Sequence, residues 1–363
     1  MYQLVRDNLP SGIDQAQFID VGRPLVKVNK PETRQQKATR EKDRKPKPFF
    51  NRTQVGGVDG EALRASESRM ERLNSYWRDH PIELPNGSVA ASATRIFHDG
   101  SFTSGGRLYG AWTMLNNKEG ERLQCTIDGE PICELDIRAS QPTLLSCLLG
   151  IRMKNVSDHG TWHDPYLQLT GLTFYDEAAW DQYLEEFYDS GEAKIEPTKR
   201  TRLIAKAAVM EMIGSGDPNK SNPTDDLVAS TEVSKKEWDL FKAHLKDVIP
   251  ALNKLEPRYD NNGQLDGYIN GAGFLSFHES EMTMQAIERL HEQGIPAYPV
   301  HDCLMVKLAD AKEAAKVYRE TIREYCYNMS GLNVLVPLKC EVAEEIPTDD
   351  LFKGDDLRGE YLS

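Results

Sequence analysis

Two stretches decide the reading: Glu134-Leu135-Asp136-Ile137-Arg138-Ala139-Ser140-Gln141 and Val300-His301-Asp302-Cys303-Leu304-Met305-Val306. Each places an Asp at the end or turn of an apolar run with β character. The first is reached through two β-type runs, residues 122–127 and 132–137, on either side of Asp128-Gly129, a dipeptide suited to a tight hairpin. The second lies in residues 297–308, which read as strand, tight turn, strand, with His301-Asp302 at the turn.

Working outward, residues 91–150 form a strand-rich unit punctuated by Gly105-Gly106 and Gly110, and a buried helix starts at 143–149. Residues 151–285 read as mostly helical. Helices are expected at 59–79, 198–213, 235–252, 280–293 and 311–329. The last is amphipathic, with Ala315, Tyr318, Ile322, Tyr325 and Cys326 on one face. A closing strand is expected at 334–342, and no internal repeat is present. The pattern implies an α+β fold.

The chain has 363 residues, enough for two or three lobes with real cores. It contains no run long and apolar enough to span a bilayer and starts with no secretory pattern, so no membrane partner is expected. Six scattered cysteines (125, 133, 147, 303, 326 and 340), without a CxxC pair, argue against zinc. They fit reduced thiols in a cytoplasmic or equivalent reducing compartment. Net charge is −13, but residues 23–52 hold eleven Lys/Arg against three Asp/Glu, a local +8 that leaves −21 for the rest. An acidic protein can still bind a nucleic acid through such a basic segment; a solvated linker is the plain alternative. Pro10, Pro24, Pro31, Pro46 and Pro48 mark this region as an extended, partly disordered arm.

Asp136 and Asp302, on different strands of one sheet, suit two magnesium ions, with manganese as an alternative. Magnesium keeps several waters and needs only one or two carboxylates plus substrate phosphates. The backbone oxygen of Ile137 is a further candidate ligand. Taken singly, an Asp at a strand end is more often a turn former or a helix cap; the signal lies in the set. Arg202, Lys206, Met210 and Ile213 fall at spacings of four, four and three, so they share one helix face. Two cations there could meet a triphosphate, Arg through its planar fork and Lys as a compact charge. Lys206 could also protonate a leaving pyrophosphate. A solvated basic helix is the alternative. Gly105-Gly106-Arg107 lacks the P-loop pattern; Arg107 could touch a primer or template backbone, although a hairpin turn explains it as well.

These segments resemble the palm and fingers of the family A polymerases, the group that includes bacterial DNA polymerase I and the single-subunit phage and mitochondrial RNA polymerases. The ELDIRASQP stretch is similar to their first carboxylate motif, RLIAKAAVMEMIGSG to the fingers helix, PVHDCLMV to the His-Asp hairpin and VLVPLKCEV to the last palm strand, in the same order. The resemblance implies a right-hand fold with an antiparallel-sheet palm and a helical fingers region. The divisions expected are a basic arm (1–55), a helical thumb-like segment (56–94), a first palm part (95–150), fingers and connecting helices (151–285), a second palm part (286–345) and an acidic tail (346–363). It implies metal-binding roles for Asp136 and Asp302, triphosphate contacts for Arg202 and Lys206, and a place near the primer terminus for His301.

There are departures. Cys303 stands where the DNA enzymes have Glu, and Met210 and Gly214 stand where the fingers helix usually has an aromatic. Gln141 takes the sugar-sensing position that is Glu in the DNA enzymes and Gly in the RNA enzymes; its bulk favours deoxynucleotides. The activity implied is DNA synthesis from deoxynucleoside triphosphates on a primer-template, without a proofreading exonuclease. The alternatives are an RNA polymerase or primase on the same palm, and a degenerate palm that binds primer-template DNA without catalysis. A two-metal nuclease is disfavoured, since few carboxylates surround Asp136 and Asp302; Glu134 and Glu341 are the candidates for a third.

Overall fold

The computed structural model describes residues 23–32, 34–50, 52–116, 120–155, 163–168, 182, 185, 197–214, 222–259, 263, 265–334 and 336–343. The expected acidic tail and the first 22 residues of the expected arm lie outside this set. In chain order the elements begin β1 (Val26–Val28), α1 (Arg34–Lys42), α2 (Arg52–Asp79), β2 (Ile82–Glu83), β3 (Val89–Ala90), β4 (Thr94–His98), β5 (Ser101–Tyr109), β6 (Thr126–Ile127) and β7 (Glu130–Ile137). They continue with α3 (Ser140–Leu148), α4 (Pro197–Gly214), α5 (Asp225–Thr231), α6 (Lys235–Val248), β8 (Pro257–Tyr259), β9 (Leu265–Tyr268) and α7 (Ala272–Glu292). The last are β10 (Ala297–Val300), β11 (Cys303–Lys307), α8 (Ala311–Ser330) and β12 (Leu338–Val342). Helices and antiparallel sheets are mixed, as an α+β chain requires. No helix among the described residues is long and apolar enough to cross a membrane.

The chain divides into two compact units. The first comprises Met1–Ile137, Gly273–Tyr325 and Val336–Leu357; the second comprises Arg138–Ala272, Cys326–Leu335 and Arg358–Ser363.

The first unit is built on a seven-stranded sheet in the order β10-β11-β7-β6-β2-β3, with β12 also paired to β7. β7 is its central strand, antiparallel to both β11 and β12. Cys133, Glu134 and Leu135 are all buried, as expected of a strand covered on both faces. Asp128 (φ 53°) and Gly129 (φ 75°) close the β6-β7 hairpin, both in the left-handed region that a type I′ turn needs. β10, at the sheet edge, carries Pro299, whose missing N–H is tolerated there. The indoles of Trp77 and Trp112 donate to the carbonyls of Ala297 and Pro299, both at 2.9 Å. Both indoles are fully buried, and Trp77 stacks on Tyr298.

A second sheet, β1-β4-β5, pairs β1 in parallel with β4. This gives residues 26–28, inside the segment expected to be an extended arm, a fixed place. α7 is pinned between elements by charge. Arg69 on α2 holds Glu288 (2.7 Å) and Glu281 (2.8 Å), and Arg95 on β4 also holds Glu281. Losing one partner of such a part-buried network would leave a charge without its counter-ion. α7 starts eight residues before the expected 280, because the buried His278 and Glu279 disguise its apolar period.

In the second unit, α6 buries Trp238, Phe241, Leu245 and Val248 on one face. Its N-terminus is capped by the Ser234 hydroxyl, which accepts from the Glu237 N–H at 3.1 Å. It ends at Val248 rather than at the expected 252, because Pro250 forces Ile249 out of the helical region (φ −118°, ψ 76°). The closing strand of the first unit is likewise shorter than expected, starting only after Pro337. Gly271 lies 2.9 Å, measured from the position of an added Cβ, from the Ile213 carbonyl at the end of α4; a side chain there would collide with backbone.

Candidate active site

β7 and β11 run antiparallel with Asp136 opposite Cys303. Asp302 is one residue outside that pair, in the turn between β10 and β11. The two aspartates, 166 positions apart in sequence, therefore emerge at the same end of adjacent strands. His301 opens the turn in the left-handed region (φ 60°) while Asp302 does not, the φ pattern of a type II′ turn, whose first position favours glycine. The turn is held from outside. Tyr318 on α8 donates its hydroxyl to the Asp302 carbonyl (2.8 Å), and the Thr283 hydroxyl on α7, which donates to the Glu279 carbonyl at 2.9 Å, lies 3.4 Å from the His301 carbonyl.

A third carboxylate faces this pair. Glu279 on α7 is 1% exposed. Its carboxyl is pushed up to about 8, first by burial and then by the charge of Asp302; Arg107 opposes the shift and Asp136 adds to it. One carboxyl oxygen accepts from Arg107 Nε at 2.7 Å, while the other is buried without a hydrogen-bond partner among the described residues. Sequence reasoning missed Glu279. Its signal was a lone acid on a stripe otherwise made by Leu275, Met282, Ala286, Ile287 and Leu290, all buried.

Glu134, considered a possible third carboxylate, is neutralised instead: Arg122 grips it with bonds of 2.6 and 3.0 Å. Glu341 is opposite Glu134 on β12 and is paired with Lys339. Cys303 is buried, and its thiol is pushed well above its usual range, first by burial and then by the charge of Glu134. All six cysteines are free thiols. His301 Nδ1 is buried without a partner among the described residues, and the ring contacts Tyr109 edge-on at 5.8 Å. Burial, followed by the nearby Arg107 charge, holds this imidazole below its ordinary value.

No cluster of three or more His, Cys, Asp or Glu among the described residues would by itself hold a metal. A hard divalent cation that keeps its waters needs fewer ligands, and two neighbouring aspartates offer the oxygen donors it prefers. Asp136 and Asp302 fit that requirement. Ile137, whose backbone oxygen is a further candidate, ends β7 opposite Leu338.

Asp136, Ile137, Asp302, His301 and Arg107 belong to the first unit; Gln141, Arg202, Lys206 and Met210 belong to the second. On α4, Arg202 pairs with Asp164 at 2.6 Å and lies over the Tyr166 ring at 5.4 Å. Lys206 is exposed and makes no ion pair with a described residue. Met210 is 39% exposed, so these three share an outward stripe. Ile213, expected on that stripe, is buried, and its backbone carbonyl lies close against Gly271. Arg200 is structural, bound in bidentate fashion to Glu237 at 2.6 and 2.9 Å in the interior. Gln141, near the start of α3, is buried with Oε1 unpartnered among the described residues.

No family profile and no curated protein sequence matches the chain. Among solved structures it is similar to the POL domain of Pol1 from M. smegmatis in complex with a DNA primer-template and dNTP. Identity is 10% and the TM-score is 0.37, over 93% of this chain. The chain spans 62% of that structure's length. A likeness of this size carries no functional argument.

Proposed function

We propose that the chain catalyses template-directed nucleotidyl transfer, extending a DNA primer with deoxynucleotides by a two-metal mechanism and without proofreading. The observation that carries this reading is the arrival of Asp136 and Asp302 at one end of adjacent strands, with Glu279 buried beside them. Magnesium, when bound, supplies charge neutralisation and a more acidic 3′-hydroxyl. Asp136 and Asp302 would hold it, with the Ile137 carbonyl as an additional ligand.

The other residues carry binding and proton roles. Arg202 and Lys206 are assigned to triphosphate oxygens, and Lys206 also to the proton that the leaving pyrophosphate takes up. Gln141 and Met210 are assigned to the nucleotide, where the bulk of Gln141 disfavours a ribose 2′-hydroxyl. His301 and Arg107 are assigned to the primer-template side. The motif order 134–142, 202–216, 299–306 and 334–342 supports the same reading.

The test is extension of a labelled primer on DNA and RNA templates, with each nucleotide set, in magnesium or manganese. Deoxynucleotide addition on DNA that disappears in Asp302→Asn is the expected result. Addition of ribonucleotides alone would establish an RNA polymerase or primase instead. Primer-template binding with no incorporation under either metal would make the chain a binding protein.

A further inference from the structure

The chain's positive charge is concentrated in residues 23–52, and the described part of that stretch is folded. β1 leaves the second sheet, the chain passes through α1, and it returns so that Phe50 N–H donates to the Val28 carbonyl and Lys30 N–H to the Pro48 carbonyl, both at 2.9 Å. Phe50 packs against the cluster of Val28, Leu63 and Phe97. With Phe50 turned inward, Phe49 is 51% exposed. Lys27 Nζ lies 5.4 Å from the Phe49 ring centre, and Lys30 Nζ 5.3 Å from that of Phe50.

The acids of this stretch are already engaged. Glu32 and Glu41 pair with Arg40, and Asp43 pairs with Lys45. Lys27, Lys30, Lys37, Lys42, Arg44 and Lys47 form no ion pair with a described residue. Lys47 also lies close enough to His98, on β4, to help hold that imidazole below its ordinary value, after burial. The result is an anchored, lysine-rich surface, with Asp99 the acid facing it beside His98, and with an aromatic ring standing out of it.

We propose that this surface binds single-stranded nucleic acid, with phosphates on Lys27, Lys30 and Lys47 and a base stacked on Phe49. A single strand offers what the surface lacks: anions at regular intervals beside flat rings of any sequence. A purely anionic partner would use the lysines and ignore the phenylalanine. The surface does not depend on the chemistry of Asp136 and Asp302.

The test is fluorescence anisotropy of labelled oligothymidylate and oligouridylate with the full chain in EDTA, across a salt series. Lys27→Gln/Lys30→Gln/Lys47→Gln should weaken binding and flatten the log–log salt slope by about 2, at roughly 0.7 per lost phosphate contact. Phe49→Ala should weaken it about fivefold or more with the slope unchanged. The DNA and RNA arms decide which strand is preferred. Photocrosslinking of a 4-thiothymidine oligonucleotide to the unaltered protein should label residues 45–50, which keeps the test open if a variant misfolds.

Equal binding by the triple variant, or crosslinks confined to other segments, would overturn the proposal. So would a Phe49→Ala variant that binds normally, which would mark a generic polyanion site, or a preference for phosphatidylserine vesicles over the oligonucleotides. Binding retained in a protein that incorporates nothing sinks the polymerase reading and leaves this surface standing. Incorporation with no loss in the triple variant does the reverse.

Discussion

Two hairpins of one sheet handle their turns in opposite ways. The β6-β7 turn uses Asp128-Gly129, both residues in the left-handed region, with open space around Gly129. The β10-β11 turn instead puts a histidine at φ 60°, where glycine is favoured, and is held by the Tyr318 hydroxyl on the Asp302 carbonyl. The first turn obeys the local rule: it reverses the chain, and its Asp128 pairs with His80. The second breaks it, at a cost on the order of 1–2 kcal/mol, and is the one that carries Asp302. Under the proposed function, the departure from local preference falls at the turn assigned to the chemistry.

The largest effect should separate the turns by activity. Asp302→Asn should lower primer extension by roughly three orders of magnitude, equivalent to several kcal/mol of lost electrostatic stabilisation, with the fold intact. Asp128→Asn should leave extension rates within about a factor of two of wild type, as expected of a residue outside the site. Comparable losses in both would erase the contrast.

Next in size is acid sensitivity beneath the first turn. Asp128 contacts His80 at 3.0 Å, the His80 ring contacts Tyr76, and Tyr76 stacks on His291 at 3.8 Å. Burial pushes the His291 imidazole down to about 4 from the 6.5 it has in the unfolded chain. The unfolded state therefore takes up a proton that the folded state refuses. This stability is complete above pH 6.5 and is lost as pH falls from there towards 4, by up to about 3 kcal/mol. Urea unfolding across that range should show the slope, and His291→Phe should reduce it.

Smaller still are the backbone terms. Gly129→Ala should destabilise the protein by about 1–2 kcal/mol, through φ alone, and spare extension. His301→Gly should have the opposite sign, raising stability by about 1 kcal/mol or less while lowering extension, because the imidazole is lost. Differential scanning calorimetry alongside extension rates would reveal both signs. A His301→Gly variant that is markedly less stable would mean that the imidazole itself holds the turn.

Local signals account for what the sequence disclosed. Asp128-Gly129 announced its hairpin, the 3.6-residue period of α8 emerged from Ala315, Tyr318 and Ile322, and the apolar runs ending in Asp136 and Asp302 marked two strand ends. What stayed hidden depended on distance. The parallel pairing of Val26–Val28 with residues 95–97 is a long-range match with no local signature. Glu279 meets Arg107 across 172 residues, and its acidity broke the very stripe that would have located the start of α7. Ile213 shows the same limit on a helix face: its angular position was right, but the side chain is buried.

The two indoles that bond to β10 have a wider implication. An outermost strand normally presents bare carbonyls that a foreign chain can adopt as a template for cross-β growth. Here indole hydrogens cap two of those acceptors, and a proline removes the donor between them. This border therefore offers a foreign strand fewer groups to pair with, next to the turn that carries Asp302.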